Sequence, residues 1–225
     1  MGDLLLLRHG ETAWTLSRQH TSHTDLPLTP HGEGEAARVA HLLRGHDIAL
    51  ALSSPLRRAV RTAELAGVSG AEIDPDLSEW DYGGYEGVTT AEIHRTRPTW
   101  NLWADGVAPG PADHPGEGPE DVGRRADRVL ARVEPLLSDP AAGDVLLVAH
   151  GHILRVLTAR RLGLPPSAGS LFALDTGTVS RLGTEHDRPV IKAWNTTGAP
   201  ATGAHSPSGA IPPQRRPEHD SSPGR

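Results

Sequence analysis

The stretch that decides the fold is Leu4-Leu5-Leu6-Leu7-Arg8-His9-Gly10-Glu11-Thr12, an apolar run that ends abruptly on an arginine, a histidine and a glycine. So short a run can neither cross a membrane nor form an export signal. Its continuous apolar character indicates a strand buried on both faces of a sheet. In open α/β sheets, ligands bind beyond the carboxyl ends of the strands. Arg8 and His9 follow the apolar run at this place, and their side chains suit an anion.

Composition narrows the class of protein. The chain has 225 residues, which is enough for one well-buried α/β domain. Its 22 Lys and Arg against 28 Asp and Glu give a formal charge of −6, which offers no general attraction for nucleic acid or an acidic membrane. The lack of cysteine excludes disulfides, thiolate catalysis and Cys-ligated metal sites. With no signal peptide, we expect a cytoplasmic protein that acts on a small molecule.

A second unit of strand, histidine and helix follows later in the chain. Asp144 to Ala149 forms an apolar strand, His150 and Gly151 end it, and a helix is predicted from Ile153 to Leu162. A further short strand is expected over Ile48 to Leu52. Strands that alternate with helices are typical of a three-layer α/β/α domain with a mainly parallel central sheet.

Cap and turn residues mark the other expected elements. Thr29 and Pro30 predict the start of one helix, and Ser54 with Pro55 predict the start of another that ends near Leu65. The remaining predictions are a loop over 15–29, an edge strand over 71–73, a helix over 89–97, an irregular excursion over 104–119, a helix over 120–137 with an early end at Pro135 as the alternative, and closing strands over 171–174, 178–182 and 190–194. We assign the folded domain to residues 1–196. Residues 197–225, which are rich in Pro, Gly and Ser and lack aromatics, are expected to form a disordered tail.

The candidate chemical groups are Arg8, His9, Arg58, Glu79 and His150, each at a strand end or on an adjoining loop. Two arginines and two histidines in one crevice repel one another unless an anion neutralises them. A phosphate group suits this set because guanidinium groups bind it in a bidentate manner and helix N-termini donate backbone amides to it. The sequence therefore predicts a phosphate site.

His9 and Glu79 have the properties that covalent phosphoryl transfer requires. A neutral imidazole can attack phosphorus when its other ring nitrogen is held by an acceptor, which the turn at Gly10 can supply. A carboxyl group beside Trp80 and Tyr82 is expected to have a raised pKa and to protonate the leaving group. This scheme needs no metal or cofactor.

Metal ligation is the weaker alternative for the histidines. His150 with His152, or His20 with His23, are the pairs to consider. Alternate residues at a strand end diverge, and no histidine–carboxylate set has the spacing of a zinc protease.

Four motifs resemble, in order, the signature of the histidine phosphatase superfamily in its phosphoglycerate-mutase-like branch: residues 8–12, 54–59, 77–83 and 149–151. The resemblance covers residues 3–195. It implies that His9 is the phosphorylated nucleophile, that Arg8, Arg58 and His150 form the phosphate pocket, and that Glu79 donates a proton and later activates water. It also implies substrate contacts at Gly10, Glu11, Thr15, Thr21, Ser22, Tyr82 and Gly151. Thr15 stands where the family usually has Asn, and Ser22 stands where it usually has Gly.

The motif around Glu79 indicates which member of the family the chain resembles. Residues 79–87 are similar to those of actinobacterial broad-specificity acid phosphatases and of the fungal sedoheptulose-bisphosphatase type. We therefore predict a phosphomonoesterase that acts on small phosphorylated metabolites. Three alternatives remain open: a cofactor-dependent phosphoglycerate mutase, for which the segment 88–119 is short, a sugar-bisphosphate phosphatase of the sedoheptulose-bisphosphatase type, and a non-catalytic phosphate-binding module. We expect no nucleic-acid or membrane partner, and a homodimer is the assembly to test.

Overall fold

The two strands that precede a histidine lie side by side in the computed structural model, which describes residues 1–198. Strands β1 (Leu4–Arg8) and β4 (Asp144–Ala149) are parallel, with Leu4 opposite Val145. The other strands are β2 (Ile48–Ser53), β3 (Glu72–Ile73), β5 (Thr178–Glu185) and β6 (Arg188–Thr197). The sheet has the order β3-β2-β4-β1-β5-β6, parallel from β3 to β1 and antiparallel at β5 and β6. The predicted mainly parallel sheet is confirmed.

Helices cover both faces of this sheet. They are α1 (Ala13–Ser17), α2 (Pro30–Arg38), α3 (Ala40–Leu43), α4 (Arg57–Leu65), α5 (Thr90–Thr96), α6 (Leu102–Asp105), α7 (Pro119–Ser138) and α8 (Gly151–Arg161), with 3-10 turns at Pro75–Leu77, Gly83–Tyr85 and Pro166–Leu171. Leu4 and Leu6 enter the core formed with α7 and α8, whereas Leu5 and Leu7 enter the core beneath α2 to α4. Complete burial of one leucine side chain stabilises the fold by about 1.5–3 kcal/mol. The opening run is thus a central strand buried on both faces, as predicted.

The structure corrects the predicted start of one helix and confirms the longer of the two ends predicted for another. Helix α4 begins at Arg57 rather than at Pro55, because the Ser54 hydroxyl bonds to His150 and does not cap the helix. Helix α7 continues through Pro135 to Ser138. A proline inside a helix costs about 3 kcal/mol, which the burial of neighbouring apolar side chains offsets.

Two other predictions are wrong in detail. The expected loop over 15–29 begins with the end of α1, which Thr12 caps through a bond from the Thr15 amide. The expected strand over 171–174 is unpaired, because Leu171 ends a 3-10 turn and the Leu174 carbonyl accepts a bond from Arg8.

Strand β6 runs to Thr197, and the domain boundary at residue 196 stays a prediction. The rest of the predicted tail, residues 199–225, lies outside the described residues. None of the helices within residues 1–198 is long and apolar enough to cross a membrane.

Candidate active site

The site forms where the carboxyl ends of three parallel strands meet. His9 follows β1, Ser54 follows β2 and His150 follows β4. The His9 amide donates to the Ala149 carbonyl at 3.0 Å, and the Ser54 amide donates to the Val148 carbonyl at 3.0 Å. The rings of His9 and His150 are buried and stand edge to face, with 5.0 Å between their centroids. Parallel pairing therefore brings together histidines that are far apart in sequence.

His9 is held in one tautomer. Its Nδ1 lies 2.7 Å from the Gly10 carbonyl oxygen. A carbonyl can only accept, so Nδ1 carries the hydrogen and Nε2 keeps a free lone pair in the neutral ring. Burial holds the pKa of His9 well below its ordinary value, and the charges of Arg58 and Arg8 lower it further. The ring is therefore neutral and nucleophilic at pH values where an exposed histidine is protonated.

Gly10 fixes the turn that orients His9. A Cβ at Gly10 would lie 2.2 Å from the Gly32 carbonyl oxygen, so no larger residue fits without a backbone shift. The Gly10 amide donates to the Thr62 hydroxyl at 3.1 Å, and that hydroxyl donates to the Arg58 carbonyl at 2.7 Å. Thr62 thus connects the turn after β1 to helix α4.

Arg58 and His150 form a buried chain with Ser54. The Nε atom of Arg58 donates to Nδ1 of His150 at 3.1 Å. Because Nδ1 accepts, the proton of the neutral His150 ring lies on Nε2, which donates to the Ser54 hydroxyl at 2.7 Å. Burial lowers the pKa of His150 well below its usual range, and the charge of Arg58 adds to this effect.

The loop of residues 21–24 holds the other end of Arg58. The guanidinium donates to the Ser22 carbonyl at 2.9 Å and to the Thr24 carbonyl at 3.0 Å. The Glu86 carboxylate in turn accepts bonds from the amides of Ser22 and Thr24 at 2.9–3.0 Å. Glu86 therefore positions the loop that positions Arg58.

Replacing Glu86 with glutamine is expected to raise the KM for a phosphomonoester about tenfold, with a smaller change in kcat. The glutamine side chain has one acceptor oxygen where the carboxylate has two, so it cannot reproduce the bonds from the backbone amides of Ser22 and Thr24 to both oxygens. A lost bond to a charged acceptor costs about 1.5–3 kcal/mol. Steady-state kinetics on p-nitrophenyl phosphate measures this effect. The matched control is Glu92→Gln, which removes an exposed carboxylate that caps α5. An unchanged KM in Glu86→Gln would contradict the positioning role.

Glu79 lies at the N-terminus of helix α8. Its carboxylate accepts from the His152 amide at 3.0 Å, the Ile153 amide at 2.9 Å and the Trp80 amide at 2.9 Å. Burial acts to raise its pKa, but hydrogen bonding to His152 and attraction to His152 and His150 outweigh burial. The pKa of Glu79 thus lies well below its ordinary value. Burial also lowers the pKa of His152, so the charge of that ring depends on pH. The backbone amides that bond to Glu79 stabilise its carboxylate at every pH.

The predicted raised pKa of Glu79 is therefore wrong for the free protein. Trp80 is buried, but its indole donates to the Glu117 carbonyl at 2.8 Å, and its backbone amide is the group that bonds to the Glu79 carboxylate. The amides of α8 are the feature that the sequence did not reveal. With its pKa held low, Glu79 is ionised in the free protein.

A cleft of about 250 Å³ opens over these groups. Its walls include seven of the predicted site residues: Arg8, His9, Thr15, Thr21, Glu79, Tyr82 and Gly151. A Cβ at Gly151 would lie 3.3 Å from Cζ of Arg8, so the glycine lets the guanidinium approach the start of α8. The buried Nε of Arg8 has no hydrogen-bond partner within residues 1–198. This free donor suits an anionic ligand in the cleft.

Four predicted residues have their side chains or backbone engaged in the scaffold. The Glu11 carboxylate accepts from the Thr29 hydroxyl at 2.7 Å, and Ser22 acts through its amide and carbonyl; neither lines the cleft. Gly10 packs on Gly32 behind His9. The Thr15 hydroxyl closes the cap of α1 by accepting from the Thr12 amide at 2.8 Å, although Thr15 does line the cleft. Glu11, Ser22 and Gly10 therefore make structural contacts here, and their substrate contacts stay a prediction.

Several cleft residues were not among the predicted catalytic or substrate-binding residues, although His20 and His152 were considered as metal ligands: Trp14, Arg18, Gln19, His20, Thr90, His152, Arg155 and Leu174. His152 and Arg155 are three residues apart on α8, and this helical spacing next to His150 was a usable signal. Nδ1 of His152 and the Tyr82 hydroxyl share a hydrogen bond of 2.7 Å. Arg18 has a φ of 62°, and its place depends on a loop conformation that no pattern indicates.

Comparison with known proteins agrees with this geometry. The chain is 39% identical over 199 residues to an acid phosphatase of Mycobacterium tuberculosis, which covers 88% of this chain and 94% of the relative. It is 36% identical over 188 residues to sedoheptulose 1,7-bisphosphatase of Saccharomyces cerevisiae, which covers 71% and 67%. A solved structure of an open reading frame from M. tuberculosis superposes with a TM-score of 0.79 at 39% identity, covering 88% of this chain and 99% of that one.

The family model of the histidine phosphatase superfamily, branch 1, matches residues 4–197, which is the sheet with all its flanking helices. The match includes both strand–histidine units and the residues that surround the cleft. The chain therefore belongs to branch 1 of the histidine phosphatase superfamily.

Proposed function

We propose that the protein is an acid phosphatase that hydrolyses small phosphorylated metabolites, without a metal, through a phosphohistidine on His9. The observation that carries this proposal is the neutral His9 ring, whose Nδ1 is held by the Gly10 carbonyl beside Arg8 and Arg58. A free Nε2 lone pair next to two buried cations suits attack on a phosphate group. A protein that only binds phosphate needs the cations but not this tautomer.

The reaction has two steps. In the first, Nε2 of His9 attacks phosphorus, the ester P–O bond breaks, and the leaving oxygen takes a proton from Glu79. In the second, the Glu79 carboxylate takes a proton from water, the water oxygen attacks phosphorus, and the N–P bond breaks to release phosphate. Glu79 must hold a proton in the first step. The negative charge of the bound phosphate supplies the reason, because a nearby anion raises the pKa of a carboxyl group.

A sugar bisphosphate is the second candidate substrate, and two further arginines that line the cleft favour it. Arg18 and Arg155 line the cleft in addition to the catalytic set. The Arg155 guanidinium lies over the Trp103 ring at 4.7 Å from its centroid, and its Nε donates to the Gly169 carbonyl at 3.0 Å. A second anionic group on the substrate would meet these charges. The similarity to the yeast bisphosphatase supports the same choice.

The proposal is tested by measuring phosphate release from a panel of p-nitrophenyl phosphate, sugar monophosphates and sugar bisphosphates. We expect release that is unchanged by EDTA. If the bisphosphates are preferred, Arg155→Ala should lower kcat/KM for them by about 10-fold or more and affect p-nitrophenyl phosphate less, since bonds to charged groups contribute about 1.5–3 kcal/mol.

Two outcomes would overturn the assignment. Formation of 2-phosphoglycerate, instead of free phosphate, from 3-phosphoglycerate and the 2,3-bisphosphate would identify a mutase. Binding of phosphate esters with no turnover of any of them would identify a binding module.

A further inference from the structure

We propose that His23, Asp81 and His114 form a binding site for a transition-metal dication in a cavity beside the phosphatase cleft, with Glu79 in the walls of both. One ligand atom from each residue lies within 4.8 Å of the other two. The three residues come from different segments: the loop of residues 21–24, the loop after Glu79 and the irregular segment 106–118. The topology thus brings together three metal-ligating side chains that share no sequence motif.

Two of these side chains have unmet bonding capacity. The Nδ1 atom of His23 is buried, and it has no hydrogen-bond partner within residues 1–198. The Asp81 oxygens accept from the amides of Gly83 at 3.0 Å and Gly116 at 2.9 Å, and each oxygen keeps a second lone pair.

The charge of Asp81 also lacks a cationic partner among the described residues. Arg125 lines the same cavity, but it pairs with Glu117 at 2.7 Å. A dication would satisfy the free imidazole nitrogen and neutralise the carboxylate in one step. The unpartnered His23 nitrogen and the uncompensated Asp81 charge destabilise the metal-free protein, and both groups stabilise the complex when a metal binds.

The donor set selects the class of ion. Two imidazole nitrogens and one carboxylate oxygen suit Zn²⁺, and also Co²⁺, Ni²⁺ or Cu²⁺, whereas Mg²⁺ and Ca²⁺ prefer oxygen ligands. His23, Asp81 and His114 line a cavity of about 550 Å³. This volume leaves room for water as a fourth ligand. A three-residue set with an open position is typical of zinc sites that bind exchangeable ligands.

Metal binding requires one local rearrangement. The rings of His23 and His114 are stacked with 3.8 Å between centroids and an interplanar angle of 11°. An imidazole binds a metal in its own ring plane, so two stacked rings must open to share one ion. His114 is the ring that can move, because it lies in the irregular segment 106–118 and its side chain is 37% exposed.

The ion would connect the irregular segment to the catalytic scaffold. His23 stands between Ser22 and Thr24, whose carbonyls hold Arg58. A bond from the same ion to His114 would fix the segment 106–118 to this loop. The consequence is reduced motion of that segment, which does not depend on whether the cleft hydrolyses phosphate esters.

The first test is calorimetric titration of the full chain with Zn²⁺, together with the visible absorbance of bound Co²⁺. We expect one site, and a loss of affinity of about 10-fold or more in His114→Ala and in His23→Ala, since even the outer shell of a metal site contributes 10–100-fold. His31→Ala is the matched control, because His31 is an exposed histidine that lies 3.4 Å from a carboxylate, Glu35, outside the proposed site.

The second test is hydrogen exchange of residues 106–118 with and without Zn²⁺. Exchange should slow in the unmodified chain and in His31→Ala, and should not change in His114→Ala. Far-UV circular dichroism without metal shows that each variant is folded, and His114→Gln is the second variant if the alanine chain is unstable. Equal Zn²⁺ affinity in the unmodified chain and His114→Ala, or loss of binding in His31→Ala, would overturn the proposal.

Discussion

Replacing His9 with alanine is expected to lower kcat on p-nitrophenyl phosphate by about 10³-fold or more and to abolish the covalent intermediate. The ring is the group that forms the bond to phosphorus, and catalytic groups of this kind typically cost at least this much when removed. The measurement is steady-state kinetics together with an alkaline quench after brief reaction with ³²P-labelled substrate, because phosphohistidine is labile in acid. Label should be retained in the unmodified protein and absent from His9→Ala.

His41→Ala is the control for this variant. His41 is an exposed histidine on α3 whose Nδ1 bonds to the Arg38 carbonyl, and its loss should leave the rate unchanged. Retention of the rate in His9→Ala would refute the phosphohistidine route. It would also leave the fold assignment intact, since the family match does not depend on one residue.

The acid limb of the pH profile tests the environment of His9 independently. Burial and the charges of Arg58 and Arg8 lower its pKa, so the neutral nucleophile persists at pH values below the ordinary histidine pKa. The value of kcat/KM, which reports the free enzyme, should therefore not decline as the pH falls through about 6.5, the unperturbed value. Two esters with different phosphate pKa values separate the enzyme's inflection from the substrate's.

The fold was predictable because its signals are local. Four leucines before Arg8 and the apolar run before His150 have the length and composition of buried parallel strands, and the structure pairs them directly. The irregular details depend on tertiary contacts. Ser54 has the residue type of a helix cap, but the hydroxyl bonds to His150 instead, and only the three-dimensional arrangement decides between those partners.

The site was predictable in its residue types and less so in its electrostatics. The strand-end rule placed Arg8, His9 and His150 together, as the structure does. The pKa of Glu79 was misjudged because aromatic neighbours in sequence suggested an apolar setting, whereas the carboxylate meets the amides that begin α8. Such a contact joins residues more than seventy positions apart, and no sequence pattern records it.

Replacing Glu79 with glutamine is expected to slow alkyl phosphate hydrolysis by about 10²–10⁴-fold, the usual contribution of general acid–base catalysis. An alkoxide is a poor leaving group and needs the proton, whereas p-nitrophenolate leaves without it. The first step with p-nitrophenyl phosphate should therefore be much less affected, and rapid mixing should show a burst of nitrophenol followed by slow turnover. The burst follows because the side-chain amide in Glu79→Gln cannot take a proton from water in the second step.

Glu86→Gln is the control for the leaving-group dependence expected of Glu79→Gln. That variant disturbs the loop holding Arg58, so it should affect alkyl and aryl esters equally and show no burst.

The pH dependence of the rate gives a second test of the role of Glu79. Its pKa is low in the free protein and must rise when a phosphate anion binds, so the inflection of Glu79 in the kcat profile should lie at higher pH than in the kcat/KM profile. Equal losses of the first-step rate on both classes of ester in Glu79→Gln would show that the carboxylate only supports the start of α8. The proton would then have to come from another group in the cleft, such as His152, whose Nδ1 lies 3.8 Å from the Glu79 carboxylate.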